Sequence, residues 1–262
     1  MLPKRIIVLD TETISIDKPY IYDLGFIVAE LDENLKYQVI YQSQQVIQQI
    51  YDNRALFATA YYESKRKIYT SMMKGRKAKK IKYGFALRNL MLVAEQYEVN
   101  HILAYNSPFD KRALNFTTDF FKLKNELDNK NWLDIHAIAN NFIHMHKDYI
   151  DYATDLNWFN TSGFLQTNAE KTFAFLTKNK DFKEEHTSLQ DCLIELDILN
   201  ACIEKGFDNS QEMKTSFIKA DIKQTLKIKV DDKVYDFKYS KRINHKNGDI
   251  TLKKWFSSVS NV

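Results

Sequence analysis

Three short segments of this chain carry acidic and imidazole side chains at spacings that could support chemistry. In the first, Asp10 and Glu12 stand two residues apart at the end of an apolar run, residues 5–9. Because successive side chains of a strand alternate between its faces, a strand here places both carboxylates on one face. Carboxylates that close repel each other unless a proton or a cation lies between them. Taken alone, the spacing is short and common, and solvated acids at the exit of a strand are its more ordinary interpretation.

The second segment places an acid at the start of a helix. Ser107 as N-cap and Pro108 at the first helical position predict a helix that begins here, with Asp110 at its third position. An acid at this position commonly complements the helix dipole. If the preceding apolar run, residues 101–105, forms a strand beside the first one, it also brings Asp110 towards the first acidic pair.

The third segment begins a late helix. Thr187 and Gln190 fit a capping box, which predicts a helix that starts at Thr187. His186 precedes this cap and Asp191 follows in the first full turn, so both can face a cleft beyond the helix end. For this segment alone, a surface histidine beside a helix is the ordinary alternative.

The elements that must position these segments alternate between strands and helices up to residue 205. Short apolar runs predict strands at residues 5–9, 24–29 and 101–105, and a looser alternation predicts one at 37–46, with a hairpin between 24–29 and 37–46. Helical spacing of apolar residues predicts helices over most of 48–98, from 107 onward, and at 134–146, 168–178 and 188–204. This alternation predicts an α/β fold.

After Gly206 the pattern changes to short runs of period two. Residues 225–230, 233–239 and 249–252 alternate in this way, and Asn247-Gly248 is a typical hairpin turn. We therefore predict two parts, a catalytic α/β domain over residues 1–207 and a small basic β-rich C-terminal extension over residues 208–262.

The formal net charge of +4 sums segments of unlike charge. Residues 61–90 contain ten basic residues and one acidic residue, a net of +9, and residues 211–262 have a net of +6. The rest of the chain is therefore acidic, at −11. An acidic body with two basic segments suits a nucleic-acid enzyme that binds metal ions through carboxylates. Tyr61-Tyr62 and the basic run over 65–82 could stack bases and contact phosphates, or they could form a solvated lysine-rich surface.

Composition excludes several classes of protein. At 44% hydrophobic residues the 262-residue chain can bury a core, and it has no apolar run long enough to span a bilayer. The N-terminus does not resemble a secretory signal. Cys192 and Cys202 are too few for a disulfide framework or a four-cysteine zinc site, so we expect buried thiols and a cytoplasmic location. His144 and His146 are two residues apart in a helical pattern, which argues against a zinc pair.

Together and in this order, the three segments resemble a known family. VLDTET, AYNSPFD and HTSLQD are similar to the three exonuclease motifs of the DEDDh family, the DnaQ-like 3′–5′ exonucleases of the ribonuclease H-like superfamily. The resemblance covers about residues 4–204, and residues 23–28 and 132–135 also resemble segments of that family. Ser188 replaces a common alanine, and Ile14-Ser15 replaces a common Thr-Gly, but the catalytic set is complete.

The resemblance implies a ribonuclease H-like mixed β-sheet flanked by helices, and a two-metal mechanism. It implies that Asp10, Glu12, Asp110 and Asp191 hold two divalent cations, Mg²⁺ or alternatively Mn²⁺, with Asp10 bridging them. It implies that His186 takes the proton from the attacking water as general base. The substrate contacts of the family correspond here to Thr11, Thr13, Ile14, Asn106 and Phe109.

The predicted function is therefore a 3′–5′ exonuclease that hydrolyses single-stranded nucleic acid, with DNA favoured, to nucleoside 5′-monophosphates. The alternatives are an RNA-trimming exoribonuclease of the same family, or a proofreading or scaffold subunit that acts with a polymerase. The expected partners are DNA or RNA 3′ ends, and a polymerase or replication protein bound through the C-terminal extension. The composition is typical of a low-GC bacterium or its phage, and the compact chain favours a phage-encoded protein of DNA replication or repair.

Overall fold

The computed structural model describes residues 1–160, 163–209, 223–230, 233–243 and 250–255, the last three ranges as backbone strands. The chain divides into two compact units, which we describe separately. The first comprises Met1–His144 and Thr167–Thr215, and the second comprises Met145–Gln166 and Ser216–Val262. The division predicted after residue 207 stays a prediction.

The first unit contains a six-stranded mixed sheet flanked by helices, which confirms the predicted α/β class. Its strands are β1 (Arg5–Thr13), β2 (Ile21–Leu31), β3 (Tyr37–Ile47), β4 (Lys79–Ile81), β5 (His101–Ala104) and β6 (Asn131–Asp134). Their order across the sheet is β4-β3-β2-β1-β5-β6. The first three strands pair antiparallel through two hairpins, whereas β5 runs parallel to β1, β6 to β5 and β4 to β3.

Helices connect and cover these strands. They are α1 (Gln48–Tyr51), α2 (Arg54–Phe57), α3 (Arg66–Lys74), α4 (Tyr83–Gln96), α5 (Ser107–Phe120), α6 (Ile135–Ala139), α7 (Lys147–Asp155), α8 (Ala169–Thr177) and α9 (Ser188–Glu204). Short 3₁₀ turns form at Glu63–Lys65 and Glu126–Asn129, and a π-turn at Asn140–His144 continues α6. All but α7 lie in the first unit.

The side chains of β1 alternate between the two faces of the sheet, and the two faces are covered by different helices. Ile7 and Leu9 pack into the large core with residues of α4 and α5, such as Leu90 and Leu114. Residues of even number in β1 lie on the opposite face, against which α9 packs. Asp10 and Glu12 therefore lie on the α9 side of the sheet, as their spacing predicted.

Gly25 permits the close approach of α9 to this sheet. A Cβ atom at Gly25, which is paired with Asp10, would lie 2.4 Å from the backbone nitrogen of Leu189 and 2.6 Å from Ser188 Oγ. Real Cβ atoms do not approach other atoms so closely, because such a contact lies inside their van der Waals radii. The absence of a side chain at Gly25 thus sets the distance between β2 and the first turn of α9.

The helical interpretation of residues 48–98 was incomplete. This region contains the short strand β4, which extends the sheet beside β3 through the pairs Gln45–Lys79 and Ile47–Ile81. A three-residue strand with two lysines shows no alternation of apolar residues, so its formation depends on the exposed edge of β3 and not on a local signal.

The second unit has a helical part and a β part. Helix α7 is followed by a bridge between Phe159 and Leu165, and the ring centroids of Tyr152 and Trp158 lie 5.4 Å apart. The strands β7 (Lys223–Val230), β8 (Lys233–Ile243) and β9 (Ile250–Trp255) form an antiparallel sheet in that order. The β-rich prediction for the extension is therefore confirmed for these strands, whereas the predicted turn at Asn247-Gly248 lies outside the described residues.

Two other expectations concern cysteines and membranes. Cys192 and Cys202 are both free and buried in α9, as predicted for small core side chains. In the part of the chain that the structure describes, none of the helices combines the length and the apolar character needed to traverse a bilayer.

Candidate active site

The end of β1 brings two carboxylates to the site. Asp10 pairs with Gly25 and Glu12 with Asp23 in the register between β1 and β2. Glu12 is buried, and the Tyr22 hydroxyl donates to its Oε2 at 3.4 Å, whereas Asp10 is half-buried. Burial raises the pKa of both carboxyls well above the usual value, and repulsion from neighbouring carboxylates raises it further.

Helix α5 brings the third carboxylate, although it packs on the other face of the sheet from α9. Strand β5 pairs parallel with β1 through Ile7–Ile102 and Val8–Leu103, so the two strands end at the same edge. Thr11 turns towards α5, and its N–H and Oγ1 donate to Asp110 Oδ1 at 3.0 and 2.7 Å. Burial raises the pKa of Asp110 to about 7, against the opposing effect of these two hydrogen bonds.

The start of α5 differs by one residue from the prediction. Ser107 is the first helical residue and Asn106 is the N-cap, in a left-handed conformation with φ of 69°. The Asn106 N–H donates to Asp134 Oδ1 at 2.9 Å, so the loop is tied to the end of β6. Asp110 is still in the first turn, where the helix dipole favours a negative charge.

Helix α9 brings the fourth carboxylate, and a buried acid from β2 caps it. Thr187 is the N-cap, but its side chain makes no capping hydrogen bond, so the predicted capping box does not form. Instead, the Ser188 N–H donates to Asp23 Oδ2 at 3.0 Å, and Gln44 Nε2 donates to the same atom at 2.9 Å. The cap therefore ties the first turn of α9, and hence Asp191, to the strand next to β1.

These elements bring three of the predicted residues, Glu12, His186 and Asp191, into one group. One ligand atom from each of Glu12, His186 and Asp191 lies within 4.8 Å of the others. Asp191 is 8% exposed, and its Oδ1 is buried with no hydrogen-bond partner among the described residues. Burial, with repulsion from Glu184, raises the pKa of Asp191 to about 8. Carboxylates packed in this way favour the uptake of cations.

The donor set fits a divalent cation. Carboxylate oxygens are the ligands that Mg²⁺ and Mn²⁺ prefer, and an imidazole beside them suits several transition metals. The buried Asp191 Oδ1 is an acceptor that a cation would satisfy. The group of Glu12, His186 and Asp191 is therefore a candidate metal site, while the roles predicted for individual residues remain proposals.

A cleft of about 560 Å³ opens beside Glu12. Four residues predicted to contact substrate, Thr11, Thr13, Ile14 and Phe109, line it together with residues that include Thr59, Tyr61 and Tyr62. The fifth predicted residue, Asn106, is exposed at the N-cap of α5.

Sequence reasoning missed a further buried acid, Glu195. It follows Asp191 by one helical turn, is 3% exposed, and has an Oε2 with no hydrogen-bond partner among the described residues. Burial, with repulsion from Asp110 and Asp191, raises its pKa well above the usual value, although the Tyr105 N–H donates to it. The signal in the sequence was the spacing of four, which puts both acids on one face of α9.

His186 lies among three other residues that the motifs did not indicate. Its ring stacks on Tyr62 with centroids 4.7 Å apart, and its Nδ1 lies 3.5 Å from Glu184 Oε2. Lys65 Nζ lies 4.0 Å from the Tyr62 ring centroid and donates to the carbonyls of Glu185 and His186. Contacts between segments about 120 residues apart leave no periodic signal, so the sequence could not indicate them.

No protein-family model matches this chain. No curated protein matches it either. Similar solved structures include E. coli exonuclease I in complex with a 5cy-dA13 oligonucleotide, at 13% identity and a TM-score of 0.45, covering 76% of this chain and 40% of that one. The zinc-ion-bound E. coli ExoI–ssDNA complex has 13% identity and a TM-score of 0.46, covering 78% and 41%.

The E. coli exonuclease I complex with a dT13 oligonucleotide has 14% identity and a TM-score of 0.42, covering 78% of this chain and 40% of that one. The chain thus spans about 40% of the length of these proteins. Similarity at this level supports no inference about chemistry.

Proposed function

We propose that this chain is a metal-dependent 3′–5′ exonuclease that hydrolyses single-stranded nucleic acid, with DNA favoured, and releases nucleoside 5′-monophosphates. One observation carries the proposal, which is the convergence of carboxylates from β1, α5 and α9 with an imidazole beside an open cleft. The three elements that meet there begin or end in the motifs that resemble the DEDDh family. The direction of hydrolysis and the exonuclease mode rest on that resemblance.

In this proposal the carboxylates of Asp10, Glu12, Asp110 and Asp191 hold two Mg²⁺ ions. Divalent cations in such a site polarise the scissile phosphate and lower the pKa of a water molecule. The protein contributes fixed geometry. Thr11 holds Asp110 by two hydrogen bonds, and the cap from Asp23 fixes the turn that carries Asp191.

His186 is the proposed general base. Burial, with a smaller contribution from the Lys65 ammonium, lowers the pKa of its imidazole below the usual 6.5. The ring is therefore neutral at pH 7 and has a lone pair that can accept a proton from water. One of its ring nitrogens lies within 4.8 Å of a carboxylate oxygen of Glu12 and of Asp191, which supports this role.

The cleft supports binding of a strand end. Thr11 and Thr13 alternate with Asp10 and Glu12 at the end of β1, and Ile14 follows that strand. Phe109 lies one residue before Asp110. Tyr61, which is 83% exposed at the cleft, offers an aromatic face on which a base can stack. Such stacking tolerates any base, which fits an enzyme that removes successive nucleotides.

The experiment that tests this proposal incubates the protein with single- and double-stranded DNA and RNA, labelled at the 5′ end, with Mg²⁺ or with a chelator. We expect stepwise shortening of single strands only with Mg²⁺. Asp110→Asn should abolish it, whereas Asp119→Asn, an exposed acid in the same helix, should not. Cleavage at internal positions, or no cleavage, would contradict the proposal, and a preference for RNA would identify the trimming exoribonuclease instead.

A further inference from the structure

The backbone of His186 has an unusual conformation that neighbouring residues must hold. Its φ is 49°, in the left-handed region that is sterically unfavourable for a residue with a Cβ atom. Such conformations persist only where surrounding contacts fix them. Lys65 provides contacts of this kind, because its ammonium donates to the carbonyls of Glu185 and His186, the latter at 3.4 Å.

The plane of the imidazole is fixed from one side by an aromatic ring. The Tyr62 and His186 rings are nearly parallel, with an angle of 20° between their planes and 4.7 Å between their centroids. Lys65 Nζ lies 4.0 Å from the centroid of the Tyr62 ring, within the range of a cation–π contact. Lys65 thus holds both the backbone of His186 and the ring against which its imidazole packs.

An acid lies beside one edge of the imidazole. Glu184 Oε2 lies 3.5 Å from His186 Nδ1, and the Glu184 side chain is 10% exposed. The Glu184 N–H in turn donates to Glu170 Oε2 at 3.3 Å, and Glu170 forms ion pairs with Lys171 and Lys183. The acid therefore stands on an anchored segment and not on a free loop.

We infer that Tyr62, Lys65 and Glu184 are positioning residues that hold His186 with Nδ1 towards Glu184 and Nε2 available to the reacting water. The inference rests on the proposed function for the role of His186. A carboxylate that accepts from Nδ1–H leaves the lone pair on Nε2, so the acid selects the tautomer that can act as a base. None of the three residues belongs to the motifs that resemble the DEDDh family.

A spectroscopic experiment on the metal-free protein tests this inference. Two-dimensional ¹H–¹⁵N spectra at pH 8, with ¹⁵N-labelled histidine, distinguish the Nδ1–H tautomer from the Nε2–H tautomer, and His186→Gln assigns the resonance. We expect the Nδ1–H form in the wild type and in Glu184→Gln, whose amide oxygen can still accept. In Glu184→Leu we expect loss of that preference. The buried His144 indicates whether each variant remains folded.

The contributions of Tyr62 and Lys65 can each be tested by comparing a disruptive variant with a control variant. Tyr62→Phe keeps the stacked ring and should keep the wild-type His186 spectrum, whereas Tyr62→Leu should broaden or shift it. Lys65→Met should have the same effect as Tyr62→Leu, and Lys67→Met, at an exposed neighbouring lysine, should not. If one variant fails to fold, the other variants still test the inference, because each removes a different contact that holds the same imidazole.

Kinetics provide the second readout. In Glu184→Leu and Lys65→Met we expect kcat to fall by about 10–100-fold, as for partners that orient a functional histidine, with KM little changed. An unchanged His186 tautomer together with an unchanged kcat in these folded variants would overturn the inference. If the wild type degrades no nucleic acid, the proposed function fails, while the tautomer measurement still decides whether these residues hold His186.

Discussion

At the scale of single residues, burial in the site makes the carboxylates harder to ionise and the imidazole harder to protonate. Burial raises the pKa of Asp110 to about 7 and that of Asp191 to about 8, and it lowers the pKa of His186. Opposite shifts in adjacent acids and bases are frequent at catalytic sites, where each group needs a defined protonation state. In the proposed mechanism a bound cation would supply the carboxylates with a counter-charge, and the neutral imidazole would accept a proton.

The first prediction distinguishes the proposed metal-binding role of the carboxylates from the proposed general-base role of His186. His186→Ala should reduce the rate of hydrolysis by about 10²–10⁴-fold, as expected for the loss of a general base. Binding of Mn²⁺, measured by calorimetry, should persist because the carboxylates remain. Asp191→Ala should abolish metal-dependent hydrolysis. Wild-type rates in either variant would remove that residue from the site.

The second prediction concerns His144, which is distant in sequence from the motifs. It is completely buried, with Nδ1 2.6 Å from Asn140 Oδ1 and Nε2 2.8 Å from Thr172 Oγ1. Burial lowers the pKa of His144 from 6.5 to about 3. At a pH between these two values, the unfolded chain binds a proton at this residue that the folded chain does not. The free energy of unfolding should therefore fall as the pH decreases through this window.

Denaturant titrations from pH 7 to pH 4 measure this effect. The contribution of His144 approaches about 1.4 kcal/mol per pH unit, and His144→Gln should lack it. The difference in stability between wild type and variant should hence decrease as the solution becomes more acidic. A difference that does not change with pH would contradict the buried, neutral state of His144.

Some residues of the site could be predicted from the sequence, and others could not. The acids of the motifs and His186 were indicated by the joint resemblance of three short segments to the DEDDh motifs, because each spacing alone has an ordinary structural explanation. Tyr62 and Glu184 could not, since their importance depends on a contact between distant segments. The solvated interpretation of Lys65 is wrong in part, because this lysine is half-buried against His186.

At the scale of elements, the site depends on how closely α9 approaches β2. The sequence predicted both elements from their apolar patterns, and it predicted the start of α9 from the Thr187-Gln190 pair. It did not predict that Asp23 caps the helix, since the Thr187-Gln190 pair supplied a local alternative that the fold does not use. Tertiary contacts replaced a local capping preference here.

A third prediction follows from the short distance between α9 and β2 at Gly25. Gly25→Ala should destabilise the protein by at least about 1–3 kcal/mol, because the added Cβ would overlap the backbone of Leu189. Metal binding should also weaken, since α9 carries Asp191. Gly84→Ala is the matched control in helix α4, where the nearest atom to an added Cβ is Leu123 Cδ1 at 3.4 Å.

We expect Gly84→Ala to leave stability unchanged or to raise it by up to about 1 kcal/mol, because alanine favours helices more than glycine does. Thermal and denaturant unfolding, with Mn²⁺ calorimetry, measure both variants. Equal stabilities for Gly25→Ala and the wild type would show that α9 does not require the glycine.

At the scale of the whole molecule, charge is divided between an acidic body and basic segments. The net of +9 over residues 61–90 includes exposed cations in and after α3, among them Lys74 and Lys77. This segment begins beside the site, because Tyr62 and Lys65 contact His186. If a strand end binds in the cleft as proposed, the exposed lysines of this segment are candidates for contacts with its phosphates.

The fourth prediction tests this contribution in an Asp191→Asn background, which prevents hydrolysis. Lys74→Glu with Lys77→Glu should weaken binding of single-stranded DNA and make its salt dependence shallower, by about 0.7 in log–log slope for each phosphate that a lysine no longer neutralises. Lys36→Glu with Lys205→Glu is the matched control, at exposed lysines just before β3 and just after α9. Equal weakening in both pairs would indicate only a general effect of net charge.

The central claim is hydrolysis from the 3′ end at the carboxylate site, and a comparison of labels tests it most directly. The same single-stranded oligonucleotide is labelled at the 5′ or the 3′ terminus and incubated with Mg²⁺ and either wild-type protein or Asp191→Ala. We predict that wild type releases the 3′ label first as a mononucleotide, that the 5′ label passes through successively shorter strands, and that Asp191→Ala does neither. Early release of the 5′ label, internal fragments from both substrates, or unchanged activity in Asp191→Ala would contradict this account.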